Sequence, residues 1–340
     1  MSTGASPAPR SRKPPVSVDR TPSEGPRRPR AAILGTAHPH LGNHLRALAG
    51  RAEVCAVYQG RYPASASLDH TRLRGVPVVT DAASALVHAD LALICSTTAE
   101  HSELGAVVAQ AGLPVLMEKP LAADAAEAEE LAGRLTAAGI PAAMAMFLRH
   151  APVLRRARRL LTDGRLGRLI ACDARFTHPG LLERYFTGTT AAWMLSPSWG
   201  GRGAFADLGV HLVDLLRWLR PDTPIRVRAG VLSPLPAGGA GDAGGTALLE
   251  WGPVPATLHT GWTSCPGGIR LVLEGTRGTL HVNGGHLVLT TAKGSFAESH
   301  RPPAAGDATT AFLSNPGELA GLHDAVACAR VLEAVGEAAA

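Results

Sequence analysis

Short, wholly apolar segments alternate with helical segments through the first half of this 340-residue chain, and this alternation constrains the fold most strongly. Strands that are apolar on both sides belong to parallel sheets with helices on both faces. The predicted strands are Ala31–Gly35, Val54–Tyr58, Val76–Val79, Leu91–Cys95, Pro114–Met117 and Ala142–Phe147, and the predicted helices are Leu41–Ala49, Ala99–Ala111 and Asp124–Ala138. Residues 31–150 therefore read as a doubly wound α/β domain of the nucleotide-binding type.

Beyond about residue 150 the pattern changes to alternating strands between turns rich in Gly and Pro. A helix over Val153–Leu161 and a strand over Leu169–Phe176 precede a long irregular stretch, 177–203, and a helix over Leu208–Leu219. The later predicted strands are Arg226–Leu232, Ala247–Trp251, Ala256–Trp262, Ile269–Glu274, Gly278–Val282 and Leu287–Thr291, before a last helix over Leu319–Ala338. We expect residues 151–340 to form an α+β domain with a large, mainly antiparallel, open-faced sheet. Residues 236–245 read as a flexible hairpin loop. Residues 302–317 read as a short irregular segment, and we expect a ligand pocket in this half of the chain to be truncated on that side.

The basic charge of the chain is confined to its first 30 residues. The chain has 33 Lys and Arg against 28 Asp and Glu; residues 1–30 hold seven basic and two acidic ones, which leaves 26 of each elsewhere. This Pro- and Arg-rich tail lacks large apolar residues, so we expect it to be disordered, or to reflect a misassigned start codon. An organellar presequence has a related composition but requires an amphipathic helix. The neutral remainder argues against a nucleic-acid partner.

Neither a membrane nor an oxidising compartment is indicated. No segment approaches the roughly 20 apolar residues of a membrane span. The five cysteines are scattered without CxxC spacing, which is typical of reduced thiols in a cytoplasmic protein.

The turn after the first strand, Gly35-Thr-Ala37-His38-Pro-His40-Leu-Gly42, is where a dinucleotide fold brings its backbone close to a pyrophosphate. The usual G-x-G-x-x-G pattern is reduced here to Gly35, with Ala37 and His40 at the other two positions. A purely structural turn is the alternative. A metal site formed by His38, His40 and His44 is less favoured, because no Cys or carboxylate is expected to join them.

The end of the second strand bears on the choice of cofactor. NAD sites place an Asp or Glu there to bind the ribose hydroxyls. This chain has Gln59 and, two residues later, Arg61. Gln59 can bond a ribose and Arg61 can pair with a 2′-phosphate, which slightly favours NADP over NAD, although Arg61 is equally explained as a solvated loop charge.

Lys119 stands out because the chain contains only three lysines, Lys13, Lys119 and Lys293. It follows the fifth predicted strand in Glu118-Lys119-Pro120, at the sheet edge where ligands bind in doubly wound folds. An ammonium group there can orient a substrate hydroxyl and favour its deprotonation. An ordinary surface lysine is the less favoured alternative.

A glycine-rich run, Gly200-Gly-Arg-Gly203, leads into Asp207-x-Gly209-x-His211-x-x-Asp214. If a helix begins near Asp207, residues 207, 211 and 214 share one face. Asp207 would then orient His211 as a general acid and base. A helix cap and a structural histidine explain the same residues about equally well.

Together these motifs resemble the Gfo/Idh/MocA family, the glucose–fructose oxidoreductase and inositol dehydrogenase group. The resemblance covers residues 31–338 and also includes Arg149-His-Ala-Pro152, Gly164-Arg-Leu-Gly167 and Glu274-Gly-Thr-Arg-Gly278. It implies a Rossmann-type domain and NAD(P)-dependent oxidation of a secondary alcohol, or the reverse reduction, on a sugar, cyclitol or secondary-metabolite intermediate.

The resemblance also implies roles for individual residues. Lys119 would contact the substrate and the nicotinamide ribose, with His211 as acid and base and Asp207 as its partner. The remaining cofactor residues would be Gly35, Ala37, His38, Gln59, Arg61, Thr97, His101 and Glu118, and the substrate residues Arg149, His178, Tyr185, Trp193, Trp199 and His211. A homodimer or homotetramer paired through the C-terminal sheet is expected.

The departures from the family pattern lie in the cofactor half, while Lys119, Asp207 and His211 are present. This predicts altered cofactor binding rather than lost chemistry. It keeps open a redox-neutral alternative (epimerisation, elimination or cyclisation) at the same site. A non-catalytic ligand-binding homologue is less favoured because these three residues are retained.

Overall fold

The computed structural model describes residues 27–63, 71–236, 241–315 and 319–340. Its first sheet has six parallel strands in the order β3-β2-β1-β4-β5-β6. The strands are β1 Arg30–Leu34, β2 Glu53–Tyr58, β3 Val78–Val79, β4 Leu91–Ile94, β5 Val115–Met117 and β6 Ala142–Met144. This is the predicted doubly wound, Rossmann-type sheet, with its order reversing between β1 and β4.

Four helices connect these strands: α1 Leu41–Leu48, α2 Ala82–Leu86, α3 His101–Ala111 and α4 Ala125–Ala137. Their ends follow from local chemistry. The Asp124 carboxylate accepts the Glu127 N–H at 2.9 Å and caps α4. Gly112 ends α3 in the left-handed backbone region at φ 68°, a conformation that residues with a Cβ atom disfavour.

The second sheet has eight strands in the order β14-β13-β12-β11-β7-β10-β9-β8. It is antiparallel except where β10 runs parallel to β7. The strands are β7 Leu169–Thr177, β8 Ile225–Pro234, β9 Asp242–Trp251, β10 Val254–Gly261, β11 Gly268–Gly275, β12 Gly278–Asn283, β13 His286–Thr291 and β14 Gly294–Ser299. The fold class predicted from the sequence is confirmed.

The helices of this second half are α5 Pro152–Thr162, α6 Ala204–Leu219, α7 Gly306–Ser314 and α8 Leu322–Ala339. Helix α6 is buried along most of its length and packs against β7, β9 and β10. Its start is tied to β9, because the Phe205 N–H donates to Asp242 Oδ1 at 2.8 Å. This contact fixes the functional side chains of the first turns of α6 relative to the sheet.

Several boundaries differ from those expected. Helix α6 begins at Ala204 rather than Leu208, since Gly203 at φ 96° serves as its N-cap. Strand β6 ends at Met144 rather than Phe147, because 147–150 form a 3₁₀ turn. The segment predicted to be irregular, 302–317, contains α7, which packs on α1. Helix α2 and strand β14 were not predicted.

Some predictions lie outside the described residues: the tail up to residue 26, residues 237–240 of the hairpin loop, and residues 316–317 of the irregular segment. Within the described ranges, no helix combines the length and apolar character needed to cross a membrane.

Candidate active site

A cavity of about 310 Å³ opens between the two sheets and contains the titratable residues predicted to be catalytic. Lys119 reaches it from the end of β5, Asp207 and His211 from α6, and His178 from the end of β7. Its walls are largely apolar and aromatic. The side chains that sequence reasoning missed are Phe147, Phe176, Phe186, Met194 and Leu208, which carry no motif and are brought here only by the packing of distant segments.

Lys119 and Asp207 form a buried ion pair across the cavity floor. The Lys119 ammonium donates to Asp207 Oδ1, and also to the Asp207 main-chain carbonyl at 3.2 Å. Burial alone would raise the pKa of Asp207, but the Lys119 charge holds it well below its usual value. Asp207 is therefore a carboxylate at neutral pH, and Lys119 is held facing the cavity.

The second carboxylate oxygen of Asp207 faces Trp262 and His178. Trp262 Nε1 donates to Asp207 Oδ2 at 3.0 Å, and His178 Nε2 lies 3.9 Å from the same oxygen. The Gly180 N–H donates to His178 Nδ1 at 3.0 Å, so in neutral His178 the proton lies on Nε2, on the side of Asp207. Asp207 thus supports His178, which the sequence placed only among the substrate residues.

His211 does not have the carboxylate partner predicted for it. Its Nδ1 atom has no hydrogen-bond partner among the described residues, and its ring packs edge-on against Phe147 and Phe176 at 4.7 and 5.6 Å. The i, i+4 spacing on α6 does not bring the two side chains together because Asp207 turns toward Lys119. Burial, followed by the nearby Lys119 charge, lowers the pKa of His211 well below its usual value, so it is a neutral base.

Glu118 supplies the carboxylate that the sequence appeared to lack beside the three histidines of the first turn. Its Oε1 lies 2.6 Å from His44 Nε2 and 3.0 Å from His40 Nδ1, and its Oε2 lies 3.5 Å from His38 Nε2. Burial would raise the pKa of Glu118, but His38 and His40 hold it well below its usual value. The premise that no carboxylate adjoins the histidines is therefore wrong.

These groups are close enough to surround a metal ion, since ligand atoms of His38, His40 and Glu118 lie within 4.8 Å of one another. Their hydrogen bonds, however, are those of a cluster without a metal ion, in which ring N–H groups face the carboxylate. The His40 N–H donates to His38 Nδ1 at 3.3 Å, which places the proton of neutral His38 on Nε2, toward Glu118. The cluster is thus arranged as a carboxylate hydrogen-bonded by the His40 and His44 rings, with His38 Nε2 facing it at 3.5 Å.

The turn that would bind a dinucleotide is closed by the protein itself. Trp193, in the 3₁₀ segment Thr190–Leu195, donates from Nε1 to the Ala37 carbonyl at 3.1 Å, and both residues are buried. The following segment also lies against the loop after β4, where a Cβ added at Gly200 would stand 2.8 Å from Thr98 Cβ.

Four of the backbone N–H groups in the turn are also engaged in hydrogen bonds. The bonds are Gly35 N–H to Tyr58 O (2.7 Å), Thr36 N–H to Gln59 O (3.1 Å), His38 N–H to Cys95 O (2.9 Å) and His40 N–H to His38 Nδ1 (3.3 Å). A pyrophosphate requires free N–H groups and open space at this position. In this arrangement the turn does not fit a bound dinucleotide.

The Glu100 carboxylate lies at the end of β2, where the sequence itself offers no acidic residue. Its carboxylate accepts the Arg61 N–H at 2.6 Å and the Thr97 hydroxyl at 2.8 Å, beside Gln59 and Gly60 at the end of β2. Thr97-x-x-Glu100 is a capping box, a signal that was readable in the sequence. The Arg61 guanidinium pairs with exposed Glu103 at 3.1 Å.

Several predicted site residues do not line the cavity, and three of them are held elsewhere by their own partners. Arg149 is buried in ion pairs with Asp214 and Asp324, on the other side of the 3₁₀ turn Phe147–His150. Trp199 packs on Tyr62 at 5.1 Å, and His101 is buried with Nδ1 3.1 Å from the Leu121 carbonyl. Tyr185 does line the cavity beside His178; burial, and then the Asp207 charge, raise its pKa.

Comparison with known proteins identifies the class that this fold and site define. The family model "oxidoreductase family, NAD-binding Rossmann fold" matches residues 30–144, and the Gfo/Idh/MocA C-terminal domain matches residues 154–281. The two models cover the first sheet and the second sheet from β7 into β12. The chain belongs to the Gfo/Idh/MocA family, as the sequence motifs predicted.

Curated relatives match part of the chain. A 1,5-anhydro-D-fructose reductase from Ensifer adhaerens is 36% identical over 134 residues, which is 39% of this chain and 38% of that protein. The chain spans less than half the length of the first curated relatives that it matches.

Solved structures share the fold over almost the whole chain. An inositol dehydrogenase homolog from Azotobacter vinelandii in complex with NAD+ has a TM-score of 0.78 at 16% identity, covering 92% of this chain and 95% of that one. GenD2 from gentamicin A biosynthesis in complex with NAD has a TM-score of 0.75 at 23% identity, covering 95% and 97%. These likenesses establish the fold.

Proposed function

We propose that this protein is an oxidoreductase that transfers a hydride between a nicotinamide dinucleotide and a secondary alcohol or ketone of a small polyhydroxylated molecule. The observation that carries the proposal is the buried Lys119–Asp207 pair, which shares one cavity with His178 and His211. Relatives named as a reductase and a dehydrogenase of carbohydrates support the same class.

The residues of the cavity provide the proton chemistry. Lys119 directs its ammonium toward the substrate oxygen and stabilises negative charge that develops there. Neutral His211 accepts the hydroxyl proton during oxidation and returns it during reduction. Asp207 keeps the Lys119 ammonium oriented, and His178 presents a second N–H at the same cavity wall.

The shape of the cavity favours a single ring as substrate. Its volume of about 310 Å³ lies at the lower end of the range for small-ligand pockets. Phe147, Phe176 and Tyr185 offer apolar surfaces for the C–H face of a ring, while Lys119 and His178 offer donors for its hydroxyl groups. A sugar, a cyclitol or a related secondary-metabolite intermediate combines both properties.

For the dinucleotide, which supplies or accepts the hydride when bound, NADP is slightly favoured over NAD. Among the described residues, the Arg61 guanidinium pairs with exposed Glu103, and an exposed ion pair is worth little, so exchanging Glu103 for a 2′-phosphate costs little. Binding at the turn requires that Trp193 leave Ala37.

A redox-neutral reaction in the same cavity is the second candidate, and the closed turn favours it. Proton transfer among Lys119, His178 and His211 needs no open turn. Epimerisation, elimination or cyclisation of a polyhydroxylated substrate would use the same residues.

The test combines binding with turnover. Pure protein is titrated with NADP and with NAD while tryptophan fluorescence is followed, and candidate polyols are then screened for reduced-nicotinamide absorbance. We expect Lys119→Ala and His211→Ala to lose turnover by at least about 100-fold while dinucleotide binding persists. The matched control is Lys293→Ala, at an exposed turn. Failure of both dinucleotides to bind would overturn the redox proposal in favour of the second candidate.

We also propose that the protein is cytoplasmic and homo-oligomeric. The five cysteines, all within the described residues, are thiols. The outer face of the second sheet exposes Ile170, Val231 and Leu248, which suits pairing between subunits through this sheet.

A further inference from the structure

The buried Glu118 carboxylate lies among His38, His40 and His44 at the edge of the catalytic cavity, and the proposed proton chemistry does not use this cluster. Ligand atoms of His38, His40 and Glu118 lie within 4.8 Å of one another. Glu118 is fully buried and His38 is 2% exposed. His38 and His40 also line the cavity, so the cluster opens toward a bound substrate on one side.

The Nε2 atom of His38 is incompletely coordinated in this arrangement. It is buried and has no hydrogen-bond partner among the residues that the structure describes. Glu118 Oε2 lies 3.5 Å away, beyond the usual range of an N–H···O bond. Because an unsatisfied polar group in the interior costs free energy, this atom points to a ligand that lies between the imidazole and the carboxylate.

The Glu118 carboxylate is fixed by neighbours that remain in place when such a ligand binds. The Lys119 main-chain N–H donates to Oε2 at 3.1 Å. His44 Nε2 lies 2.6 Å from Oε1, and His44 Nδ1 lies 2.6 Å from the Thr309 hydroxyl of α7. The hydroxyl can donate to Nδ1, which leaves the Nε2 proton for Glu118. Hydrogen bonds of this kind orient the carboxylates that ligate metal ions.

The charge balance of the cluster suits a cation. The Lys119 ammonium is paired with Asp207, so it does not need Glu118 as a counter-charge. Imidazoles in their neutral form add no charge. Glu118 therefore leaves the cluster with one negative charge, which a divalent cation at the cavity edge would offset.

We propose that His38, His40 and Glu118 bind one divalent cation of the zinc type. Two imidazoles and one carboxylate are a common ligand set for Zn²⁺, and the remaining coordination position faces the cavity. Zinc binds such ligands at about 2.0–2.2 Å, which the three side chains reach with shifts of about 1 Å or less. An oxygen atom of a substrate then binds the cation directly and is polarised by it.

Cation binding moves protons within the rings and leaves the charge of each ring unchanged. The His38 proton moves from Nε2 to Nδ1 and the His40 proton from Nδ1 to Nε2, so the freed nitrogens face the cation. This gives up the bond from the His40 main-chain N–H to His38 Nδ1, which at 3.3 Å is long and weak. Three metal–ligand bonds replace it.

The test uses Co²⁺ as the probe, because its visible absorption reports the ligands around it, whereas Zn²⁺ absorbs no visible light. The tag-free full chain, treated with a chelator and dialysed, is titrated without dinucleotide or substrate. We expect one equivalent of Co²⁺ to bind, with a visible band that Zn²⁺ abolishes. His38→Gln/His40→Gln should bind at least about 100-fold more weakly, because two ligands are lost.

The matched control, His281→Gln/His286→Gln, removes two imidazoles from exposed positions on β12 and β13 and should leave the affinity unchanged. Melting temperatures in chelator check that each variant is folded. Should the cluster double variant unfold, Glu118→Gln keeps the shape of the side chain and should lose binding to a similar extent.

Three results would overturn the proposal: no stoichiometric binding by the wild type, equal weakening in the two double variants, or undiminished binding by Glu118→Gln. Because the titration contains neither dinucleotide nor substrate, its outcome does not depend on whether the chain transfers a hydride. Failure of the metal site and failure of the proposed oxidoreductase activity are thus separate results.

Discussion

At the scale of single residues, Asp207 determines how the catalytic cavity is charged. Its carboxylate bonds both Lys119 and Trp262, so it has one fixed orientation. Lys119 is almost completely buried, at 2% exposed, and an ammonium in such a place depends on its counter-charge. The pair is therefore both structural and catalytic, and the two roles need separate tests.

A double-mutant cycle separates them. We expect Asp207→Asn to lower the free energy of unfolding by about 3–5 kcal/mol, because it leaves the Lys119 ammonium buried without a counter-charge. Adding Lys119→Met removes that charge and should restore stability to within about 2 kcal/mol of the wild type, while turnover stays lost. Urea denaturation and initial rates measure the two effects. Recovery of turnover in the double variant would contradict the catalytic role.

Residue identities were more predictable than residue partners. Lys119 is marked by its rarity and its position after a strand, and both features are readable in the sequence. Its bond to Asp207 joins residues 88 positions apart, on different halves of the chain. Helical spacing suggested the local pair Asp207–His211 instead. The spacing of residues along one helix can be read from the sequence, but the distant element that packs against that helix cannot.

At the scale of elements, the strands of the first sheet were predictable from the sequence, whereas several segments that pack around it were not. Apolar runs predicted all six strands of the first sheet, since burial on both faces leaves a direct composition signal. Helix α7 and the 3₁₀ segment Thr190–Leu195 were not predicted, because their positions depend on α1 and on the turn after β1. The closed turn likewise follows from tertiary packing.

The Thr190–Leu195 segment yields a prediction about cofactor access. If Trp193 covers the turn, Trp193→Ala should bind NADP at least about tenfold more tightly than the wild type, because the cofactor no longer has to displace the indole. Trp193→Phe, which loses only the N–H to the Ala37 carbonyl, should be intermediate. Equilibrium dialysis gives the dissociation constants.

Trp199→Ala is the control, since Trp199 packs on Tyr62 rather than on the turn. Equal, tight binding by the wild type and both Trp193 variants would show that Trp193 does not restrict access. No binding by any of them would instead count against the oxidoreductase itself.

At the scale of the whole molecule, the second sheet is covered on one face and open on the other. Helix α6 packs on the covered face. On the open face, Val231 is 70% and Leu248 44% exposed, and they are diagonal neighbours because Val231 pairs with Thr246. Exposed apolar neighbours on a broad sheet are typical of a surface that meets another subunit.

We therefore expect sedimentation velocity to show a dimer or tetramer for the wild type and a monomer for Val231→Arg/Leu248→Arg. Two arginines facing their copies across such an interface would bring like charges together and leave them without water. Val87→Arg is the control, because Val87 is 71% exposed beside α2, far in sequence from the second sheet. A monomeric wild type would exclude a subunit contact altogether. An unchanged assembly in the double variant would show that the contact lies elsewhere on the molecule. If the monomer keeps its turnover, the cavity formed by Lys119, Asp207 and His211 is complete within one chain, as the contacts between the two sheets indicate.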